Sequence, residues 1–227
     1  MITVAIDGPS GAGKSTISKI VANRLGFVYI DTGAMFRTLA YKAINLKINI
    51  KSEHQKVIDM LSDTKLDIVC EKDGQKMYVD GKDVTAFIRT PEVSMGASDI
   101  AVIPEVRERL LQIQRSLAQK ASCIMDGRDI GTCVLPNADV KIFLTASCEA
   151  RAKRRYKELA ERGEKVTFNE VLEDMRYRDN NDSTRSTAPL KIADDAVKAD
   201  TSELNFDESV ELIEKIITEK AANKNAL

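Results

Sequence analysis

Lys14 and Ser15 follow Gly8-Pro9-Ser10-Gly11-Ala12-Gly13, and Thr16 comes next. Every fixed position of G-x-x-x-x-G-K-[ST] is met. The chemistry this pattern serves is phosphate binding. Three glycines let backbone amides turn inward on phosphate oxygens. A helix starting at the end of the loop points its positive end at the same anion. Lys14 would reach the terminal phosphates of a nucleoside triphosphate, and the Ser15 hydroxyl would coordinate Mg²⁺. A glycine-rich turn with no ligand is the plain alternative, and it leaves the Lys-Ser pair unexplained.

Other charged residues fall where such a ligand would lie. Asp7, Asp31 and Asp126 each end an apolar run, and Asp129 follows closely. Arg37, Arg107 and Arg128 sit just after strand ends or near helix starts. Arg151, Arg154 and Arg155 share a helix face by their i, i+3, i+4 spacing, although a solvated face explains them about as well. Arg178, Asp182 and Arg185 bracket a segment before Pro189. Phosphoryl transfer spreads negative charge over equatorial oxygens, so its catalysts are positioned cations. An arginine-rich lid supplies such charge when it closes. For the carboxylate that supports Mg²⁺ behind Ser15, Asp7 and Asp126 are equal candidates.

The elements that must carry these residues alternate. Ile2–Ile6 reads as a buried strand, and Thr16–Leu25 as the helix after the loop. Phe27–Ile30 is a second strand, with a helix over about 34–44. Ser122–Met125 and Val140–Leu144 are further core strands, and Ala196–Ala199 is a last one. Helices are expected from Pro91, from Pro104 to about Gln119, over 149–162, over about 169–179 and over 206–222, with a frayed tail after that. The alternation predicts a parallel sheet with helices on both faces, and ligands at the carboxyl ends of its strands. One stretch breaks the rhythm. Leu66–Cys70 and Lys76–Val79 flank Lys72-Asp73-Gly74, a hairpin signal, and 81–84 suggests another short strand. This small antiparallel patch reads as an inserted subdomain.

Composition excludes several classes. With a net charge of -1, the 227-residue chain has no global field to recruit nucleic acid or an anionic membrane. The first apolar segment is five residues long and leads into the loop, so neither a signal peptide nor a membrane span is expected. Cys70, Cys123, Cys133 and Cys148 lack C-x-x-C pairs and read as reduced core thiols of a cytoplasmic protein. His54, the only histidine, lies in a polar helix start and is not expected to catalyse anything.

The phosphate loop, Asp31-Thr32-Gly33-Ala34-Met35-Phe36-Arg37, Asp126-Gly127-Arg128-Asp129-Ile130-Gly131-Thr132 and Arg178-Asp179-Asn180-Asn181-Asp182-Ser183-Thr184-Arg185 together resemble the bacterial cytidylate kinase family. Arg89-Thr90-Pro91-Glu92-Val93 and Ala188-Pro189-Leu190 fit as well, and the resemblance runs from about residue 2 to 217. The loop is generic to nucleotide enzymes; the blocks at 126–132 and 178–185 are the specific ones. The resemblance implies one kinase domain over 1–227, with a nucleoside-monophosphate-binding insert at about 34–105 and a mobile lid at about 150–168. It implies ATP on residues 8–16, with Mg²⁺, and CMP or dCMP as acceptor. Ser98, Arg107 and Asp129 would face cytosine, and Arg178 and Asp182 the ribose. Thr32, Arg37, Arg128 and Arg185 would hold the acceptor phosphate. Lys14, Arg128 and Arg185 would serve catalysis, and Arg151, Arg154 and Arg155 would be lid arginines. Thr32 stands where many members carry Ser, and Lys-Ser-Thr where some carry Lys-Gly-Thr; neither departure removes a needed group. A monomer with no nucleic-acid or membrane partner is expected. Rival readings are a kinase of the same class for adenylate, thymidylate or shikimate, and a GTPase switch. The Asn-Lys-x-Asp string a GTPase should carry is absent.

Overall fold

The computed structural model describes residues 1–71, 74–161 and 163–225. The central sheet has five parallel strands: β1 (Thr3–Asp7), β2 (Val28–Asp31), β6 (Cys123–Gly127), β7 (Val140–Thr145) and β8 (Val197–Asp200). Their order across the sheet is β2-β6-β1-β7-β8. Four of the five are short apolar runs, as a sheet covered on both faces requires. The helices are α1 (Lys14–Leu25), α2 (Thr32–Asn45), α3 (His54–Ser62), α4 (Pro91–Ile100), α5 (Pro104–Ala118), α6 (Cys148–Glu161), α7 (Phe168–Thr184) and α8 (Phe206–Asn225).

Two cores form, one on each face. Ile17, Val21, Val210, Ile213 and Ile217, from α1 and α8, pack with Val4, Ile6 and Ile142. On the other face Met35, Leu39, Val106 and Leu110, from α2 and α5, pack with Ala5, Ile30 and Met125. That second core extends to the antiparallel sheet of β3 (Leu66–Glu71), β4 (Gly74–Val79) and β5 (Lys82–Asp83), through Met77 and Val79. The inserted patch therefore shares a core with the parallel sheet. Residues 72 and 73 of the expected turn fall outside the described residues.

Several boundaries differ from the sequence reading. α7 does not stop near Asp179 but continues to Thr184, so Arg178 and Asp182 stand on one helix and Arg185 is its C-cap. The longer helix packs against α4: Tyr177 Oη donates to Asp99 Oδ1 at 2.7 Å, and Asn181 Nδ2 to Ser98 Oγ at 3.4 Å. α8 likewise runs to Asn225. β6 includes Asp126 and Gly127, two residues past the apolar run that ends at Met125. A π-helical turn over Ile130–Val134 follows Asp129 and had no signal in the sequence.

Candidate active site

The loop between β1 and α1 is shaped by close approach. A Cβ at Gly8 would sit 1.9 Å from the Leu144 carbonyl oxygen on β7, so no side chain fits there. Gly13 takes φ 87° as the N-cap of α1, a left-handed geometry that costs glycine little. The first-turn amides of α1 are left without intrahelical partners, as at any helix start. Lys14 turns back over the loop and donates to the carbonyls of Gly8 (2.7 Å) and Pro9 (2.8 Å). Burial and the neighbouring Arg128 cation push its ammonium down to about 7.

The three strand-end carboxylates meet side by side, because Asp31 pairs with Asp126 and Asp7 with Gly127 in register. Their tasks differ. Asp7 accepts the backbone N–H groups of Ile130 and Gly131, both at 2.7 Å, and so caps the π-helical turn. Burial drives its carboxyl up to about 6. Asp126 accepts from Ser15 Oγ at 2.7 Å and from Tyr29 Oη at 3.3 Å. Burial and Asp31 raise it to about 6. Of Asp7 and Asp126, Asp126 is the one that hydrogen-bonds Ser15. Among the described residues no three His, Cys, Asp or Glu side chains cluster as a metal cage. The Ser15–Asp126 pair offers hard oxygen donors of the kind Mg²⁺ takes when it shares its shell with phosphates and water.

Beyond the loop lies a cavity of about 630 Å³, and the arginines surround it. Several are held by carboxylates. Arg37 donates to Asp31 Oδ2 at 2.8 Å and Arg89 to the same oxygen at 3.1 Å. Asp31 also caps α2, accepting Ala34 N–H at 2.8 Å. Burial opposes its charge, but Arg37 and Arg89 hold it below the usual range. Arg128 Nε donates to Asp182 at 2.6 Å. Asp129 pairs with Arg107 and, at 3.3 Å, with Arg185. Phe36 underlies Arg107, whose guanidinium lies 5.5 Å from the ring centroid. Thr32 Oγ1 donates to the Asp126 carbonyl at 2.7 Å, and Ser98 faces the cavity from α4.

This many buried cations with few anions has a cost. Arg178 and Arg185 are both pushed down to about 10, first by burial and then by neighbouring arginines. Among the described residues, the Nε atoms of Arg37, Arg107 and Arg178 are buried with no hydrogen-bond partner. Buried donors left unpaired destabilise the fold and are retained where a ligand meets them. The cavity thus presents several cations and unpaired donors of the kind that acceptor oxygens of an anion satisfy.

The structure gathers Lys14, Ser15, Thr32, Arg37, Ser98, Arg107, Arg128, Asp129, Arg178, Asp182 and Arg185 around this one cavity, with Arg154 and Arg155 at its edge. Arg151 does not join them. It is buried behind the loop, donating to Ser10 O (2.8 Å), Ala146 O (3.0 Å) and both oxygens of Asp179 (3.1 and 2.6 Å). The shared helix face is real, but α7 covers one end of it. Arg89, Phe36, Tyr29 and the Asn205–Phe206 corner also face or support the site, and the sequence reading gave them no role. For Arg89 a signal existed: Thr90-Pro91 fixes the start of α4 right after it, with Thr90 Oγ1 accepting Val93 N–H at 3.2 Å.

The family model for cytidylate kinase matches residues 4–219. The chain belongs to the cytidylate kinase family. A cytidylate kinase of Caldicellulosiruptor saccharolyticus is 48% identical over 224 residues, 98% of each chain. One from Bacillus subtilis is 44% identical over 220 residues, covering 97% of this chain and 98% of its own. Among solved structures, a gluconokinase from Sinorhizobium meliloti superposes with a TM-score of 0.51 at 14% identity, over 99% of this chain and 95% of that one. At that identity the likeness concerns the fold alone.

Proposed function

We propose that the protein transfers the terminal phosphoryl group of ATP to CMP, and to dCMP, yielding CDP and dCDP. One observation supports this most: the phosphate loop, the Arg107–Asp129 pair and Arg37, Arg128, Arg178 and Arg185 all line a single cavity. On this reading residues 8–16 hold ATP. Thr32, Arg37, Arg128 and Arg185 hold the acceptor phosphate, while Arg178 and Asp182 meet the ribose. Ser98, Arg107 and Asp129 read the base. Cytosine presents an exocyclic amine that a carboxylate accepts, beside acceptor atoms suited to a guanidinium.

The residues act by position and charge. Lys14, Arg128 and Arg185 would stand around the transferring group and offset the charge that grows on its oxygens. The two phosphates would be brought into line within the cavity, which replaces a costly encounter by a held geometry. Ser15, backed by Asp126 and Tyr29, would hold Mg²⁺. That ion, when bound, neutralises phosphate charge and orients the chain of oxygens. The segment at about 34–105 is read as the acceptor-binding insert, and about 150–168 as a lid carrying Arg154 and Arg155 that excludes water on closing. Every residue named belongs to one chain, so a monomer suffices. The four free cysteines fit a reducing cytoplasm.

A coupled assay with ATP, Mg²⁺ and each nucleoside monophosphate in turn tests this. Turnover with CMP and dCMP, well above AMP, UMP or dTMP and lost on chelation, is the expected result. No turnover with CMP would overturn the reading.

A further inference from the structure

We infer that Gln75 is a positioning residue for the acceptor half of the site, acting through Asp31, and that this is what the antiparallel insert contributes to the central sheet.

β2 is an edge strand, with β6 on one side and no parallel neighbour on the other. An edge residue leaves an N–H and a C=O unpaired. Asp31, the last residue of β2, is 2% exposed, so its outward groups need partners. Gln75 supplies both. Its Oε1 accepts from Asp31 N at 3.0 Å, and its Nε2 donates to Asp31 O at 3.0 Å. The side-chain amide stands in for one residue of a neighbouring strand. Among side chains, only a primary amide offers this donor and acceptor together in one plane.

The amide is itself held. Gln75 pairs with Cys70 across the hairpin, and its Nε2 lies 3.0 Å from the sulfur of Met77, a fully buried core residue. A rigid line therefore runs from the shared core through Met77 and Gln75 to the Asp31 backbone. Past Asp31 it continues to the arginines. The Asp31 carboxylate holds Arg37 and Arg89, and Arg89 is 56% exposed with Asp31 as its salt-bridge partner. Arg89 lines the cavity beside Arg37. A shift of the Asp31 backbone would move both cations off the anion they face. Gln75 does not itself line the cavity and reaches it through its hydrogen bonds to Asp31, so its influence is indirect.

The inference rests on CMP being the acceptor. Three variants test it: Gln75→Leu removes both hydrogen bonds, Gln75→Glu keeps an acceptor for Asp31 N–H but turns an oxygen on Asp31 O, and Arg89→Met removes the distal cation. For Gln75→Leu the KM for CMP should rise roughly tenfold, the scale of one lost charge-assisted contact, with kcat and the KM for ATP within about twofold. Gln75→Glu should not rescue it. Gln75→Leu combined with Arg89→Met should fall short of the product of the single effects, because both act on one contact. In the protein without nucleotide, amide exchange at Asp31 should quicken roughly tenfold in Gln75→Leu, and the thermal midpoint should fall by several degrees because two buried backbone groups lose their partner. Unchanged exchange at Asp31 would mean that no clamp exists. Faster exchange with an unchanged KM for CMP, a parallel rise in the KM for ATP, or multiplicative effects in the double variant would each overturn the positioning role. If wild type fails to phosphorylate CMP, the proposed function fails while the exchange measurement still judges the clamp.

Discussion

Asp129→Asn separates base reading from simple charge removal. The side chain is 9% exposed, and its two oxygens are engaged by Arg107 and Arg185. A carboxylate has about four lone-pair sites, so roughly two remain for a base. The amide is isosteric and opens no cavity. It can accept from Arg107 with its oxygen, but it turns an NH2 toward Arg185, a side chain only 3% exposed. Breaking one partner of a buried pair costs about 3–5 kcal/mol. Here Asp182 still faces Arg185 at 3.5 Å, so about 2 kcal/mol of stability is the expected loss. For catalysis, the proposed base reading would lose a charge-assisted hydrogen bond to the cytosine amine, worth about 1.5–3 kcal/mol, or roughly 10- to 150-fold in kcat/KM for CMP. Uracil presents a carbonyl at that position, which the new NH2 can meet. UMP efficiency should therefore fall less or rise, and the CMP/UMP ratio should shrink at least tenfold. The assay is kcat/KM for both acceptors on wild type and variant, with thermal unfolding to confirm that both are folded. A ratio unchanged in a folded variant would refute base reading by Asp129.

Arg151→Met should act on the donor side. Its guanidinium ties Ser10 of the loop to Asp179 of α7, and Asp179 is 27% exposed, so the stranded anion can rehydrate. About 2–3 kcal/mol of stability should be lost, with the KM for ATP rising more than that for CMP; equal KM values in a folded variant would contradict the loop-tethering role. Asp7 should give a stability slope with pH. Its carboxyl is raised from 3.8 to about 6, so the folded state binds that proton more tightly. The resulting stability is full below pH 3.8 and is lost as the pH rises through about 6. The difference between wild type and Asp7→Asn in denaturant unfolding should therefore shrink from pH 4 to pH 6, by about 3 kcal/mol at most; a difference that grows would have the wrong sign.

What the sequence determined is what short range can encode. The phosphate loop, its glycines and the helix after it are contiguous, and backbone sterics plus one cap specify them. Period and apolar runs assigned the alternating elements, and alternation implied a parallel sheet whose ligand lies at the carboxyl ends of the strands. The blocks at 126–132 and 178–185 carried the family. What tertiary structure decided depends on register and direction across long separations. Ser15 and Asp126 are 111 positions apart, and Asp126 rather than Asp7 reaches the hydroxyl because β6 lies between β1 and β2. Helical spacing put Arg151, Arg154 and Arg155 on one face, but periodicity gives relative angles and not what covers them; α7 buries the first and leaves the other two at the cavity. α7 extends to Thr184 in contact with α4, past the end that the sequence reading gave it. Gln75 gave no local signal at all, because a glutamine in an edge hairpin is ordinary until the fold brings the Asp31 backbone, 44 residues away, within reach of both ends of its amide.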